Sequence, residues 1–360
     1  MNICMISAYP PQKGGVPVHA ESLVSELSKR HKIFLVTYGR LGRKCPKNTD
    51  IYEVAVPGVR FLRGLAFFIG ACMAVKKITS ENRIDIIHAQ FMHPPGSVAA
   101  RFAGKSKTKI IVTAHGSDLL SLAAGRFGRY ILRRVGRVCS RLVCVSDYLA
   151  GSARSLGIKR TVVIPNGIST GSLPGESAQA LRKKLGIPLG RRVITFAGML
   201  TEAKGADIFM ILAEQLRHTM KDAHFFVIGS GPLEQELRQS AERHGMSGFV
   251  TFTGAVGHED ALRYMKASDL VVVPSRIEGF GLTALEAARM KVPVIALPNG
   301  ALPEVLPACS VSENLPHLAK KALTDRKFRS SIVKENFRTS ERYTLKRMCD
   351  ETEKLYRSLS

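Results

Sequence analysis

Short apolar runs rich in β-branched residues alternate along the chain with longer stretches of helical periodicity. The runs cover residues 3–7, 33–37, 84–88, 110–114 and 142–146 in the first half, and 193–197, 225–229, 250–253, 270–274 and 292–296 in the second. Strands that alternate with helices are typical of parallel sheets covered by helices on both faces. The pattern therefore predicts an α/β protein with two doubly wound, Rossmann-like domains.

A segment rich in glycine, serine and proline separates the two halves. It reads IPNGISTGSLPGESAQA and covers residues 164–180, a composition typical of a linker. We predict an N-terminal domain over residues 1–168, a C-terminal domain over 169–340, and a helix over 341–360 that packs back on the N-terminal domain. Ligands of open α/β sheets bind beyond the carboxyl ends of the strands. We therefore expect functional residues just after strands, in a cleft between the two sheets.

Two positions in the first half fit this expectation. Gly14 and Gly15 stand between the first predicted strand and a helix, where a glycine backbone can approach a phosphate at a helix N-terminus. His115, in VTAHGSDL, follows the fourth predicted strand. The alternatives are a plain strand-to-helix turn for the glycines and a purely structural role for the histidine.

Two more positions follow strands in the second half. Lys204, in FAGMLTEAKGAD, precedes a helix and can bring its ammonium charge to a diphosphate. Gly229 and Gly231, in VIGSGPLEQEL, flank a tight turn before another helix. A surface lysine and ordinary turn glycines are the alternatives.

The most specific constellation is EGFGLTALE at residues 278–286. Glu278 precedes a predicted helix that begins near Leu282, and Glu286 lies two turns further along. The glycines between them leave the backbone free at a helix start, which favours a phosphate. The two carboxylates are suited to accept hydroxyl groups of a sugar and of a ribose.

Together these motifs resemble one enzyme family. The E-x7-E pattern with its FGLTALEA core, and the segments VIPNGI, VSDYL, KGAD, GSGPLE, ASDLVVVPS and PVIALPNGALPEV, are similar to those of the retaining GT-B glycosyltransferases of family 4, over nearly the whole chain. The resemblance implies two Rossmann-like domains facing across a cleft. It also implies transfer of a hexose-type sugar from a nucleotide-diphosphate donor to an acceptor hydroxyl, on a lipid-linked or glycan acceptor in cell-envelope polysaccharide or glycolipid synthesis.

The resemblance also implies a role for each candidate residue. The loop at Gly15 would approach the donor diphosphate, Lys204 would neutralise it, and His115 would lie near the transferred sugar. Glu278 would hold the hydroxyls of that sugar, and Glu286 those of the nucleotide ribose. The backbone of four consecutive residues would cap the phosphates: Phe280, Gly281, Leu282 and Thr283.

Two departures from the family pattern leave alternatives open. Met199 stands where the family usually carries an arginine that partners the lysine, and Ser169 stands where aspartate is common. Losing one cation at a diphosphate costs leaving-group stabilisation. A catalytically weak or non-catalytic homologue, or a GT-B sugar-nucleotide epimerase, is therefore an alternative to an active transferase.

The sequence predicts no metal and no cofactor besides the nucleotide-sugar donor. It contains no D-x-D pair, no CxxC pair and no Cys/His cluster, so neither a metal-bridged diphosphate nor a zinc site is favoured. We expect transfer that is independent of metal ions.

The net charge of +24 is unevenly distributed: residues 1–168 hold 26 basic and 8 acidic residues, and residues 169–360 hold 27 and 21. Arginines recur within one arc of a predicted helix in the basic half, with apolar positions assigned to the opposite face. The arginines are Arg126, Arg129, Arg133, Arg134, Arg137 and Arg141, and the apolar residues are Ile131, Val135, Val138 and Leu142. An ordinary solvated helix face is the simpler interpretation of this surface, and the alternative is contact with anionic lipid headgroups or with a phosphate on a lipid-linked acceptor.

Two further observations bear on location and partners. The stretch at residues 61–77, FLRGLAFFIGACMAVKK, is apolar with cations at both ends but too short to span a bilayer. The N-terminus lacks the features of a signal peptide, so we expect a cytoplasmic protein, with association at the inner membrane face as the open alternative. The chain has no tryptophan and no aromatic pair of the kind that RNA-binding sheets carry, so it does not favour nucleic acid as a partner.

Overall fold

In this computed structural model the chain is described over residues 1–12, 14–39, 41, 46–57, 60–104, 107–169, 171, 173–187 and 190–359. It divides into two compact units, one formed by Met1–Gly167 with Leu345–Ser360 and the other by Ile168–Thr344. Each unit contains a parallel β-sheet with helices between most of its successive strands. The predicted α/β class with two Rossmann-like domains is confirmed.

The sheet of the first unit has seven parallel strands in the order β3-β2-β1-β4-β5-β6-β7. The strands are β1 (Asn2–Ile6), β2 (Lys32–Tyr38), β3 (Thr49–Val54), β4 (Ile86–Gln90), β5 (Lys109–Ala114), β6 (Arg141–Cys144) and β7 (Thr161–Val163), and the helices are α1 (Gly15–Leu27), α2 (Arg60–Glu81), α3 (Pro95–Ala100), α4 (Ser117–Ala123), α5 (Arg126–Val138) and α6 (Asp147–Ser155). The central strands are almost completely buried because helices cover both faces.

The sheet of the second unit has five parallel strands in the order β10-β9-β8-β11-β12. The strands are β8 (Arg192–Ala197), β9 (Ala223–Ile228), β10 (Val250–Gly254), β11 (Leu270–Val273) and β12 (Val294–Ala296). The helices are α7 (Ala178–Lys184), α8 (Ala206–Thr219), α9 (Glu234–Arg243), α10 (His258–Lys266), α11 (Leu282–Arg289), α12 (Leu302–Val305), α13 (Leu315–Thr324) and α14 (Arg326–Ser340), with 3-10 turns at Glu202–Lys204 and Ala308–Ser310.

The C-terminal helix α15 (Leu345–Leu359) belongs to the first unit, where it packs against α1. Tyr356 is completely buried there. Glu353, also buried, accepts hydrogen bonds from His31 at 3.2 Å and from Arg357 at 2.7 Å. The polypeptide thus returns to the first unit at Leu345.

All ten predicted strands are present, with ends that differ by one or two residues, but sequence reasoning missed β3 and β7. These strands lie at the two edges of the first sheet. Edge strands are covered less completely, and β3, with the sequence TDIYEV, keeps exposed polar residues between its apolar ones. β3 lacks the continuous apolar run of the other strands, and β7, with the sequence TVV, is only three residues long.

Helix α5 corrects part of the predicted basic surface. The helix ends at Val138, so Arg141 and Leu142 lie in β6 and not on the helix. Val138 was predicted to face inward but is exposed. The buried face is instead formed by Gly128, Leu132, Val135 and Gly136, because the two glycines allow close packing of this helix on its neighbours. The exposed face carries Arg126, Phe127, Arg129, Tyr130, Arg133, Arg134 and Arg137.

Candidate active site

In each unit the candidate residues gather at the carboxyl ends of neighbouring strands. In the first unit the loop with Gly14 follows β1 and His115 follows β5, and β4 lies between these strands. Gly14 has a positive φ of 125° and precedes α1, which begins at Gly15, and both glycines are exposed. A side chain at Gly14 would be strained in this conformation, so glycine is needed to enter the helix with an open N-terminus.

Three other side chains contact the imidazole of His115. Its Nε2 lies 3.0 Å from Oε1 of Gln90, the last residue of β4. The ring of His19, on α1, meets it edge-on at a centroid distance of 4.7 Å. Phe91, which follows Gln90 and has a positive φ of 143°, places its ring 5.7 Å away. The orientation of His115 is therefore fixed by the surrounding fold.

The backbone at His115 is fixed by Asp118. This carboxylate is 5% exposed and accepts the N–H groups of Met92, His115 and Gly116 at 2.9–3.0 Å. Burial raises the pKa of Asp118, and the three backbone donors oppose that rise. One side chain thus joins the turn after β4 to the turn after β5.

The histidines around this site are neutral. Burial lowers the pKa of His115 well below its usual range, that of His19 to about 4 and that of His88, on β4, to about 3. An imidazole that stays neutral at physiological pH presents one donor and one acceptor nitrogen. His115 is suited to a hydrogen bond with a hydroxyl group, and not to neutralising a phosphate.

In the second unit Lys204 and Glu278 form an ion pair. Lys204 ends the 3-10 turn after β8, and its Nζ lies 3.0 and 2.9 Å from the two carboxylate oxygens of Glu278, which follows β11. The Oγ of Ser275 donates to the same carboxylate at 3.1 Å. Glu278 is 9% exposed, whereas the Lys204 side chain is 37% exposed and remains accessible to a ligand. The two residues assigned to a diphosphate and to a sugar are therefore direct neighbours.

Glu286 lies on α11, eight residues after Glu278 in the sequence. Burial raises the pKa of its carboxyl to about 8. The Nε2 of His258, at the start of α10, is 3.5 Å from Oε1 of Glu286, and burial lowers the pKa of this histidine. Because neither group favours its charged form, a ligand with paired hydroxyls can replace the missing solvation.

The N-terminus of α11 is open, as the sequence predicts. Gly281 precedes it with φ 100°, and no side chain caps the helix. The N–H groups of Leu282 and Thr283 lie in its first turn, while the buried ring of Phe280 packs edge-on against Tyr343 at 5.6 Å. The dipole of the helix favours an anion at this position.

Gly229 and Gly231, which follow β9, are explained by packing. A Cβ atom at Gly229 would lie 2.0 Å from the carbonyl oxygen of Gly198, and one at Gly231 would lie 2.4 Å from that of Leu200. Only glycine allows these two strand-end turns to approach so closely. Their predicted nucleotide contact stays a prediction.

Met199 follows β8 and is 62% exposed, so its side chain leaves an apolar surface where the family carries a cation. Arg276 does not stand free to replace it, because its guanidinium is held by both carboxylate oxygens of Asp207 at 2.6–2.7 Å. Within the described part of the chain no group of three or more His, Cys, Asp or Glu residues is placed to hold a metal ion.

Sequence reasoning missed five polar residues that position the candidates. The signal for them was weak: His19 interrupts the apolar face of α1, Gln90 ends a fully buried strand, and His258 is an exposed residue at the start of α10. The five residues are His19, Gln90, Asp118, His258 and Ser275.

Comparison with known proteins identifies the family. The family model for Glycosyltransferase Family 4 matches residues 13–172, and the model for Glycosyl transferases group 1 matches residues 177–310. The chain belongs to glycosyltransferase family 4. Because the two models cover the candidate residues of both units, the predicted family is confirmed and the chain is a glycosyltransferase with the GT-B fold.

Among its relatives, this glycosyltransferase is 30% identical to the uncharacterized glycosyltransferase MJ1178 of Methanocaldococcus jannaschii, over 85% of the chain and 81% of the relative. It is 30% identical to the GDP-mannose-dependent monoacylated alpha-(1-6)-phosphatidylinositol monomannoside mannosyltransferase of Corynebacterium glutamicum, over 83% and 80% of the two chains. Its fold is similar to that of HepE from Anabaena in complex with UDP and glucose, with a TM-score of 0.81, 18% identity and coverage of 99% and 100%.

Proposed function

We propose that this glycosyltransferase transfers a hexose-type sugar from a nucleotide-diphosphate donor, with retention of anomeric configuration, and that the second unit binds the donor. The Lys204–Glu278 pair carries the proposal, because a cation for the diphosphate and a carboxylate for sugar hydroxyls lie within 3.0 Å of each other at the ends of β8 and β11. The Anabaena protein of the same fold binds UDP and glucose, which supports a donor of this class.

The chemistry follows from where charge develops. As the bond between sugar and diphosphate breaks, negative charge grows on the leaving phosphate and positive charge on the sugar. Lys204 is partly exposed and supplies a cation to the phosphate, together with the N–H groups at the start of α11. Glu278 accepts the sugar hydroxyls and places a carboxylate near the cationic sugar. Arg276 is paired with Asp207 and does not replace the family arginine at Met199, so Lys204 would bear more of the leaving-group stabilisation.

The test is transfer of radiolabelled sugar from a panel of nucleotide sugars to acceptors in a membrane extract. Lys204→Ala and Glu278→Ala should each lower transfer by about 100-fold or more, the scale of losing one stabilising group in a transition state. Lys221→Ala and Glu242→Ala alter exposed residues of the same unit and should leave the rate unchanged. Equal rates in the site variants and the controls would contradict the assignment. Transfer should also persist in EDTA.

We further propose that the acceptor is lipid-linked or a glycan and that the first unit contacts an acidic membrane through α5. The exposed face of α5 combines arginines with two exposed aromatic side chains, Phe127 at 76% and Tyr130 at 61%. Cations with aromatics on one helix face are suited to the headgroup region of a bilayer. The relative from Corynebacterium glutamicum, which acts on a phosphatidylinositol mannoside, supports a lipid acceptor.

A second element extends this surface. Helix α3 packs against both α2 and α5, so the exposed faces of the two longer helices flank it. An apolar stripe runs along α2, formed by Leu62, Leu65, Ile69 and Met73, each more than 40% exposed. Beside Met73 opens a cavity of about 1090 Å³ whose lining includes Lys76, Arg83, Arg101, Lys107 and Lys109. Among the helices of the described residues, none is long and apolar enough to cross a bilayer. Binding to acidic vesicles measures this contact.

A further inference from the structure

A buried chain of hydrogen bonds leads from the C-terminal helix to His115. The hydroxyl of Tyr356, on α15, lies 2.5 Å from Nδ1 of His88. The Nε2 of His88 lies 2.7 Å from the hydroxyl of Thr113 on β5. The amide nitrogen of Gln90 lies 3.3 Å from the same imidazole, and its amide oxygen bonds His115.

The burial of this chain makes its hydrogen bonds directional. Tyr356, His88, Gln90 and Thr113 are all at most 1% exposed. Water does not reach them, so an unpaired polar atom among them would cost about 1–3 kcal/mol. The Gln90 amide makes a polar contact at both ends, with its oxygen on His115 and its nitrogen 3.3 and 3.4 Å from the two ring nitrogens of His88.

The Gln90 amide decides which nitrogen of His115 carries the proton. An amide oxygen only accepts hydrogen bonds, so Nε2 of His115 must be the N–H group. Nδ1 then carries the lone pair, and no described residue is hydrogen-bonded to it. A neutral imidazole with a bare Nδ1 can accept one hydrogen bond from a hydroxyl group.

We propose that Gln90 is a positioning residue that fixes the Nε2–H tautomer of His115, and that sugar transfer depends on this tautomer because it leaves Nδ1 as a hydrogen-bond acceptor. The first part rests on the hydrogen-bond geometry alone, and the second rests on the proposed function. The amide nitrogen of Gln90 contacts His88, and His88 in turn is hydrogen-bonded to Tyr356 on α15. Helix α15 therefore supports the site through His88 and Gln90.

Gln90→Met tests the first part, because methionine is of similar length but offers no acceptor of this strength. The readout is the long-range ¹H–¹⁵N spectrum of ¹⁵N-histidine-labelled protein, with His115 assigned by comparison with His115→Ala. We expect the Nε2–H tautomer in the wild type and a mixture of tautomers in Gln90→Met. Thr195→Val removes a buried hydrogen bond of 2.6 Å in the second unit and should leave the His115 signals unchanged.

Gln90→Glu provides a second readout that does not depend on the stability of the methionine variant. Glutamate keeps the acceptor but adds a charge, which raises the pKa of His115. The other titratable groups that face His115 are His19, His88 and Asp118. Protonation removes the Nδ1 lone pair, so kcat/KM of this variant, taken relative to the wild type at each pH, should be low near pH 5 and recover as the pH rises. Gln90→Met should lower kcat/KM by roughly 3- to 10-fold, the loss of one hydrogen bond.

The two parts fail separately. An Nδ1–H tautomer in the wild type, or a tautomer unaffected by Gln90→Met, would overturn the positioning role whatever the activity. If the tautomer behaves as expected but neither Gln90 variant alters sugar transfer, the role of that tautomer in transfer is wrong. If the wild type transfers no sugar from any donor, the proposed function is wrong while the spectra still decide the tautomer.

Discussion

At the scale of single residues, the candidate site holds charged and polar groups in states that a ligand can change. Glu286 is the clearest case, because burial raises the pKa of its carboxyl to about 8. In the unfolded chain this pKa is about 4.3. Between these values the folded protein binds more protons than the unfolded one, so the free energy of unfolding falls as the pH rises. The unliganded fold is therefore weakened at the position that a ribose would occupy.

Glu286→Gln should remove this penalty. At pH 8.5 we expect the free energy of unfolding of the variant to exceed that of the wild type by on the order of 1–3 kcal/mol, and its unfolding temperature to be higher. The difference should shrink at pH 5. Nucleotide affinity at pH 8.5 should fall by about tenfold or more, because the ionised carboxylate of the wild type makes charge-assisted hydrogen bonds to ribose hydroxyls and an amide does not. Thermal unfolding with and without ligand measures both effects. Glu242→Gln, at an exposed position, is the matched control, and equal pH profiles for wild type and Glu286→Gln would refute the account.

The candidate ligand-binding residues could be predicted from the sequence because they stand in motifs directly after strands, as Lys204 and Glu278 do. Their pairing could not be predicted, because it depends on how far the turn after β8 reaches towards β11. The same holds for Gln90: a polar residue at the end of a buried strand is visible in the sequence, but its partner is fixed only by the order of the strands.

At the scale of elements, continuous apolar runs predicted the ten strands, whereas the edge strand β3 lacks such a run and the edge strand β7 is only three residues long. Helix α5 shows a second limit. Arginine spacing placed Arg141 on the helix, but the chain turns into a strand after Cys139. Small residues at Gly128 and Gly136 face the core in place of larger apolar ones, which hid the true buried face from an analysis of hydrophobic spacing.

The exposed face of α5 leads to a prediction about membranes. Replacing Arg126, Arg129 and Arg133 with glutamine should lower binding to vesicles of acidic phospholipid at least tenfold at low salt, because each cation contributes about 1 kcal/mol near an anionic surface. Co-sedimentation with vesicles measures binding. The matched control replaces Lys221, Lys320 and Lys327, exposed cations of the second unit, and lowers the net charge equally.

The outcomes separate the contributions of charge and apolar surface. If both triple variants lose binding to the same extent, net charge and not α5 governs the contact. Leu65→Ser with Ile69→Ser, on the apolar stripe of α2, should weaken binding without changing the charge. Equal binding of the wild type to neutral and acidic vesicles would contradict the proposal.

At the scale of the whole molecule, the two units differ in charge as well as in the number of strands in their sheets. The first unit, including α15, carries 30 basic and 11 acidic residues, and the second carries 23 and 18. A strongly basic unit attracts anionic surfaces over a distance that salt shortens. We assign acceptor binding and membrane contact to this unit, and donor binding to the second unit, whose charges are nearly balanced. Raising the salt should therefore weaken transfer to a membrane acceptor more than it weakens donor binding.

The most direct test of donor binding by the second unit is calorimetric titration with nucleoside diphosphates and the corresponding nucleotide sugars. We predict that at least one pair binds the wild type, that Glu286→Ala weakens both members about equally, and that Glu278→Ala weakens the nucleotide sugar selectively. Arg238→Ala, an exposed change on α9, should leave both affinities unchanged. Binding of the nucleotide sugar that is the same in the wild type, Glu278→Ala and Glu286→Ala would contradict the account.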